Sequence, residues 1–314
     1  MTERQAKYLI TIAEEGSISK AAKKLYVSQP SLSQMLLNVE KKYGVPLFNR
    51  STGSLTLTYA GEKYMDSIRE IMQIERRMLQ QFQEIAGSYA GKLSFGITAS
   101  KGLYLLPAVL PEFRRRYPNI ELEIVEGTNP ILEEQLNSRR LDLAVLNYTV
   151  FHPHLEYVEL PEEEMLLIVP RTHRFAAQYR IQEANGKRPA ISLHQIVDEP
   201  FIYMNQNHGV RAMVDSIFMS LGICPPKALE SSNNATAHAL VAVGMGITIL
   251  PDNFIRYVVS ERSCLYFSIS DASYRRKVAL CYPEAPAISK SMEYLVTLIT
   301  KKMSELYEHS NNKI

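Results

Sequence analysis

Through the first sixty residues the apolar positions repeat every three to four, and further along the period changes. From Glu3 to Glu15, Ala6, Leu9, Ile10 and Ala13 fall on one side and Gly16 is a stop, which predicts a first helix. Ser17 is placed to cap a second helix over 18–25, whose Ala21, Ala22 and Leu25 permit close packing. Ser28 can cap a third, with Pro30 tolerated in its first turn. There Leu32, Met35, Leu36 and Val39 stand at i, i+3, i+4 and i+7, and Gly44 ends the run. Only Tyr26 and Val27 separate helices two and three, a tight helix-turn-helix connection. Leu47-Phe48 and Leu55–Thr58 flank the turn 51–54 and predict a β-hairpin wing.

Positions 58–86 then read as one long amphipathic helix without proline. Tyr64, Ile68, Ile71, Met78, Phe82 and Ile85 make its seam, broken by Glu75, and Met65, Met72 and Leu79 widen it. A face this broad exceeds what a sixty-residue head can cover, which predicts homodimerisation; a helix lying on its own domain is the other reading. Gly87 and Gly91 mark a hinge. Beyond it, strands at Leu93–Ile97, Ile120–Ile124 and Leu141–Leu146 alternate with helices at 103–117 and 130–140, the order of a parallel sheet covered by helices. A second set follows, with strands at 165–169, 201–204, 228–231 and 246–250 and helices at 210–221 and 235–243. Strands near 265–269 and 278–282 and a helix over 288–307 close the chain, and 174–195 reads as a loop with partial helix.

Net charge changes the picture only when divided. The whole chain of 314 residues is +2, but residues 1–60 carry eight Lys/Arg against four acids, so a +4 head sits on a −2 body. A small basic head points to a polyanion. Composition, 46% hydrophobic and 22% charged, is that of an ordinary globular protein and excludes disorder and fibrous classes. Cys224, Cys264 and Cys281 are too few and too scattered for a disulfide framework or a zinc site. No apolar run approaches the ~18 residues of a membrane span, and MTERQAKYLI lacks a signal-peptide core, so a cytoplasmic protein with no membrane partner is expected.

The most specific feature is SISKAAKKLYVSQPSLSQMLLNVEKKYGVPLFNR. Its Ala21-Ala22, Leu25, Ser28-Gln29-Pro30, Ser33, Glu40, Gly44, Leu47-Phe48 and Arg50, continued by Leu57-Thr58 and Gly61, closely resemble the N-terminal signature of LysR-type transcriptional regulators. The segments GKLSFGI, LLPAVLPEFRRRYPNIELEIVEG, LDLAV and LVAVGMGITILP extend the resemblance over nearly all the rest. On helix three, Gln29, Pro30, Ser33, Gln34 and Leu37 share the face opposite the apolar stripe, beside the Ser28 cap. Gln29 can bond an adenine edge bidentately, Pro30 can touch a thymine methyl, and Ser33 and Gln34 can reach bases or phosphates. Lys20, Lys23, Lys24, Lys41, Lys42 and Arg50 suit backbone phosphates. Two departures from the family matter. Gly53 stands in the wing, next to Thr52, where relatives commonly carry arginine, leaving backbone amides for that contact; Gln34 replaces another frequent arginine. A reading face this uncharged predicts a flatter salt dependence.

Ligands of open α/β sheets bind beyond the carboxyl ends of strands. Thr98 and Ser100, Thr128 and Asn129, Asn147, and Asn205 with Gln206 follow four of the predicted strands. In the family resembled, a small-molecule effector occupies a cleft between two lobes, and hydroxyls at the positions of Thr98, Ser100 and Thr128 often line it. Capping of local helices is the alternative for Ser100 and Thr128. His208 and Arg211 open the next helix and suit an anionic effector, or else are surface charges. Nothing points to an enzyme: no glycine-rich phosphate loop, HExxH, CxxC or GxSxG occurs. His152 and His154 flank Pro153 without a metal pattern, and Glu133-Glu134 and Glu162–Glu164 read as solvated charge. No cofactor is expected.

The expected architecture is therefore α/β with an all-helical winged helix-turn-helix head, residues 1–58. A dimerisation helix, 59–88, joins it to a two-lobed periplasmic-binding-protein-like effector domain, 89–314, with lobe I at 89–161 and 268–314 and lobe II at 162–267. The expected function is that of an effector-modulated regulator of transcription. A ligand-independent regulator and a cytoplasmic solute-binding protein are the alternatives. The resemblance implies promoter DNA, RNA polymerase and further copies of the chain, as a dimer of dimers, for partners.

Overall fold

Local rules account for the N-terminal elements of the computed structural model, which describes residues 2–49, 55–85, 90–148, 151–184, 189–258, 264–272, 274–285 and 288–310. Helix α1 (Glu3–Glu15) opens on a capping box between Thr2 and Gln5 and stops at Gly16 in the left-handed region. Ser17 and Ser28 cap α2 (Ile18–Lys24) and α3 (Gln29–Tyr43) by accepting from the backbone N–H groups of Lys20 and Ser31. Leu9, Ile12, Ala21, Leu32 and Leu36 form a core with Met65 and Ile68 of α4 (Tyr59–Ile85). Strands β1 (Phe48–Asn49) and β2 (Thr56–Leu57) pair antiparallel as the wing. One carboxylate oxygen of Glu40 accepts from the backbone N–H groups of Leu47 (2.8 Å) and Phe48 (3.2 Å), tying the wing to α3. Gly61 is required by close approach: a Cβ there would lie 2.0 Å from the Leu47 carbonyl oxygen.

The chain divides into two compact units, of which the first holds α1–α4 with the wing. From Ile71 onward, α4 leaves Ile71, Ile74, Met78, Leu79 and Phe82 about half exposed. Of the seam read from the sequence, Tyr64 and Ile68 are taken up by the head's core, and Ile71, Met78 and Phe82 are uncovered within the chain. The wing tip, with Arg50, Thr52 and Gly53, and the Gly87 half of the hinge lie outside the described residues.

The second unit begins with β3 (Gly91–Ile97), α5 (Ala99–Arg116), β4 (Ile120–Glu126), α6 (Asn129–Asn137) and β5 (Leu143–Asn147). Strand β3 lies between β4 and β5 and parallel to both, as the alternation predicts. The sheet does not stay parallel. Strand β12 (Arg275–Pro283) arrives from the far end of the chain and runs antiparallel between β5 and β6 (Leu155–Pro170), a pairing that no local pattern encodes. Sixteen-residue β6 serves two lobes. Its first part, Leu155–Glu164, pairs with β12; its second pairs with β10 (Thr248–Pro251) and β11 (Cys264–Ile269).

The second lobe adds α7 (Ala176–Ala184) and β7 (Ala190–Ile191) where a largely irregular loop was expected. It continues with β8 (Phe201–Met204), α8 (Gly209–Leu221), β9 (Lys227–Ser231), α9 (Asn234–Ala242) and α10 (Asp252–Val258). Helix α10 has no counterpart in the sequence reading, because seven residues straight after Pro251 are too short for a periodic signal. Helix α11 (Lys290–Ser310) returns to the first lobe, where Leu295, Leu298 and Ile299 pack with Leu105, Val109 and Phe113 of α5. Phe267 and Ile269 sit in the second lobe's core, so β11 belongs to it whole and the chain crosses back after residue 269.

Candidate functional site

Two surfaces stand out. On the first unit, capping by Ser28 starts α3 so that Gln29, Pro30 and Gln34 are exposed on one face, with Leu37 41% exposed and Ser33 half-buried. Ser19 of α2 donates its hydroxyl to Gln29 Oε1 at 3.0 Å, and Gln34 donates to Asn38 Oδ1 at 3.1 Å, so the two amides are oriented before any partner arrives. Lys20, Lys23, Lys41 and Lys42 are exposed around this face. Lys24 differs from the expectation for it: its ammonium is bonded to Glu15 at 2.7 Å and faces Glu14 at 3.8 Å. Tyr26, read from the sequence only as part of the turn, takes a left-handed φ of 54° there and is 96% exposed.

On the second unit, a cavity of about 420 Å³ opens between the lobes. The N-termini of four helices face it: α5 through Thr98, Ala99 and Ser100, α6 through Thr128 and Asn129, α8 through His208 and Gly209, and α9 through Asn233 and Asn234. Helix N-termini carry unpaired N–H groups and a partial positive charge, so four of them make a site for an anion. Leu103, Ile131 and Phe254 add apolar wall, and Arg276 of β12 supplies a cation. Thr98 occupies the cap position of α5, but its side chain makes no capping bond and its Oγ1 is buried without a partner. Ser100 falls inside the first turn of α5 and is not its cap.

Beneath this cavity lies a buried charge cluster. Glu163, on β6, and Lys101, on α5, are each only 2% exposed and pair at 3.0 Å. Glu163 also binds Arg276, and Asn147 receives Lys101 Nζ on its Oδ1 at 2.6 Å while donating to Glu163 at 2.9 Å. Burial pushes the Glu163 carboxyl up, yet Arg276, Lys101 and the Asn147 amide outweigh it and hold the group at about 2. Burial pushes Lys101 down, against the pull of Glu163. Two cations thus face one carboxylate across three elements.

The structure brings together Thr98, Ser100, Thr128, Asn129, Asn147 and His208. It leaves out Asn205 and Gln206: both are exposed, and Gln206 lines a separate hollow with Arg211 on the flank of α8. Strand β8 ends away from the cavity, whereas the turn after β9 supplies the lining in its place. The cationic reading of His208 needs correction. Its ring caps α8, accepting from Val210 N–H at 3.2 Å, and burial, then Arg276 and Lys101, push it down to about 4, so it is neutral near pH 7. Arg211 bonds Asp215 and Glu230 instead of facing the cavity.

Glu163 corrects the reading of Glu162–Glu164 as solvated charge. Lys101 was missed although it falls on the buried i, i+4 stripe of Leu105, Val109 and Phe113, a signal that could have found it. Asn233 and Asn234 were missed although they follow β9 and open α9, the same strand-end signal used elsewhere, whereas Arg276 carried no local signal. Among the described residues there is no cluster able to hold a metal, and no helix is long and apolar enough to cross a membrane. Cys264 and Cys281 are buried, the latter thiol pushed up to about 12 by burial, and none of the three cysteines lines the cavity.

A winged helix-turn-helix carried with a two-lobed domain that holds a ligand-sized cleft defines a class, the regulator of transcription with its own receptor domain. Residues 4–62 match the bacterial regulatory helix-turn-helix protein, lysR family, and residues 86–304 match the LysR substrate binding domain. The chain belongs to the LysR family of DNA-binding transcriptional regulators. It is 32% identical over 279 residues to the uncharacterized HTH-type transcriptional regulator YcgK of Bacillus subtilis (strain 168), covering 86% of each chain. A full-length OxyR variant from Pseudomonas aeruginosa is similar in fold, with a TM-score of 0.69 at 24% identity over 96% of this chain and 94% of that one. Full-length CbnR complexed with its target DNA is similar at a TM-score of 0.61 and 22% identity, over 96% of this chain and all of that one.

Proposed function

We propose that this regulator reads promoter DNA through α3 and that a small anionic effector in the 420 Å³ cavity sets how it does so. The observation that carries the reading is the convergence of four helix N-termini and Arg276 on one cavity. Gln29, Pro30, Ser33 and Gln34 read bases, with Ser28 positioning them and Leu37 at the edge of the contact. Lys20 and Lys41 neutralise phosphates, with Arg50, Thr52 and Gly53 serving at the wing. Thr98, Ser100, Thr128, Asn129 and His208 hold the effector, while Asn147 acts through Lys101 and Glu163. The working divisions are 1–58 for the head, 59–88 for the dimerisation helix and 89–314 for the receptor.

The half-exposed stripe Ile71, Ile74, Met78 and Phe82 supports self-association, with a dimer of dimers as the assembly. Strand β6 runs from one lobe to the other and β12 begins where the chain crosses back, so a ligand that changes the lobe angle moves both connections. A differential affinity of roughly a few kcal/mol is enough to shift the population. The changed spacing of the heads then alters DNA bending and the access of RNA polymerase in the cytoplasm.

The test is salt-dependent binding of the full-length protein to the promoter region upstream of its own coding sequence, beside Gln29→Ala. Loss of about 1–3 kcal/mol on that DNA, with random DNA unaffected, is expected. The slope against salt is expected to be shallow for the family, given the few cations on the reading face. Equal weak binding to both DNAs by both proteins would overturn the assignment of α3.

A further inference from the structure

Building on the reading of the cleft as an effector site, we infer that its ligand is a small amino acid, a carboxylate and a protonated amine on one skeleton. An anion alone answers only half of the unpaired polar groups carried by the residues that line the cavity. Arg276 Nε and the helix N-termini are donors that a carboxylate satisfies. Asn129 Oδ1 and Asn234 Oδ1 are acceptors, buried and without partners. The orientation of Asn129 is fixed, because its Nδ2 donates to the Asn147 carbonyl at 2.6 Å. Asn234 is only 5% exposed.

A plain carboxylic acid brings no donor to these two oxygens and would leave them as they stand, buried and unpaired. An ammonium brings three N–H donors, enough for both amide oxygens and for the exposed Glu126 at the rim. Charge agrees: Lys101 and Arg276 exceed Glu163 by one beneath the cavity, and Glu126 offers one negative charge at its edge. The volume is near the lower end of ligand cavities, roughly 300–1,000 Å³, and Leu103, Ile131 and Phe254 offer apolar contact to a short side chain.

The experiment is thermal melting of the full-length protein with each common amino acid at about 10 mM. The strongest hit is then titrated by calorimetry beside its deamino acid, its α-hydroxy acid and its methyl ester. At least one amino acid should raise Tm, with the deamino acid and the ester about tenfold or more weaker. Asn234→Leu should erase the preference for the amine, and Arg276→Gln the preference for the free carboxylate; Asn234→Leu stands alone if Arg276→Gln does not fold. A hydroxy acid that matches the amino acid, a deamino acid or ester that matches it, or no response to any amino acid overturns the inference.

Ala235→Trp, which fills the cavity from an exposed position, separates this outcome from failure of the cleft reading. If it abolishes binding of a plain carboxylate or a neutral compound, the cleft stands and the amino acid falls. If binding of every hit survives it, both fall.

Discussion

The head and the cleft are built by opposite means. In the head, the caps and the tie to the wing are made by near neighbours in the sequence: Ser17 and Ser28 cap the helices that follow them, and Glu40 reaches the N–H groups of Leu47 and Phe48. In the cleft, a single charge cluster draws Lys101, Asn147, Glu163 and Arg276 from four elements spread over 175 positions of chain. The difference teaches where each region is fragile. Local contacts survive piecemeal, whereas a buried cluster fails when any one member is lost.

The sharpest way to break this contrast is Glu163→Ala. It strands Lys101 and Arg276 in the interior without a counter-charge, and a loss of about 3–5 kcal/mol from the second unit is expected in urea unfolding. The head's own transition and its non-specific DNA binding should persist. If the second unit kept its stability, the cluster would be no tighter a unit than the wing.

A smaller effect is expected from Glu40→Ala, which leaves two backbone N–H groups at the wing without their acceptor. About 1–3 kcal/mol should be lost from the head, together with operator affinity, while ligand-induced stabilisation of the second unit stays as it was. Calorimetric melting with and without ligand reads both quantities in one experiment.

The smallest effect is a matter of pH. His208 is held at about 4 in the fold against an ordinary 6.5, so the unfolded chain binds more protons between these values. Its contribution to stability is complete above about pH 6.5 and is lost as pH falls toward 4; the full shift corresponds to about 3 kcal/mol, which solvent screening of the half-buried ring reduces to on the order of 1–2 kcal/mol. His208→Asn keeps a capping side chain and should flatten the profile in that window. Glu163, held at about 2, loses its contribution only as pH falls from about 4.5 toward 2, so the two groups are read separately. An unchanged slope between pH 6.5 and 4 in His208→Asn would show that the ring gains its proton without cost.

How much could be read in advance follows the same division. The three helices of the head, the caps, the wing and the apolar stripe of α4 were legible because period, cap and stop lie within a few residues of one another. The cavity was half legible: strand ends and helix starts point to Thr98, Ser100, Thr128 and Asn129, since a parallel βα unit puts its turn there by construction. The same rule misled at Asn205 and Gln206: both are exposed, Gln206 on a separate hollow, and the chain after β8 meets the cavity only from His208 on.

By itself the sequence determined the local elements, the basic head and the exposed polar face of α3, all of which depend on side chains that meet their own neighbours along the chain. Tertiary structure alone decided that β12 returns between β5 and β6, and with it that Arg276 reaches Glu163. It also decided that a histidine expected to bring charge is neutral. Burial and long-range pairing set these outcomes, and neither has a period that can be read along the chain.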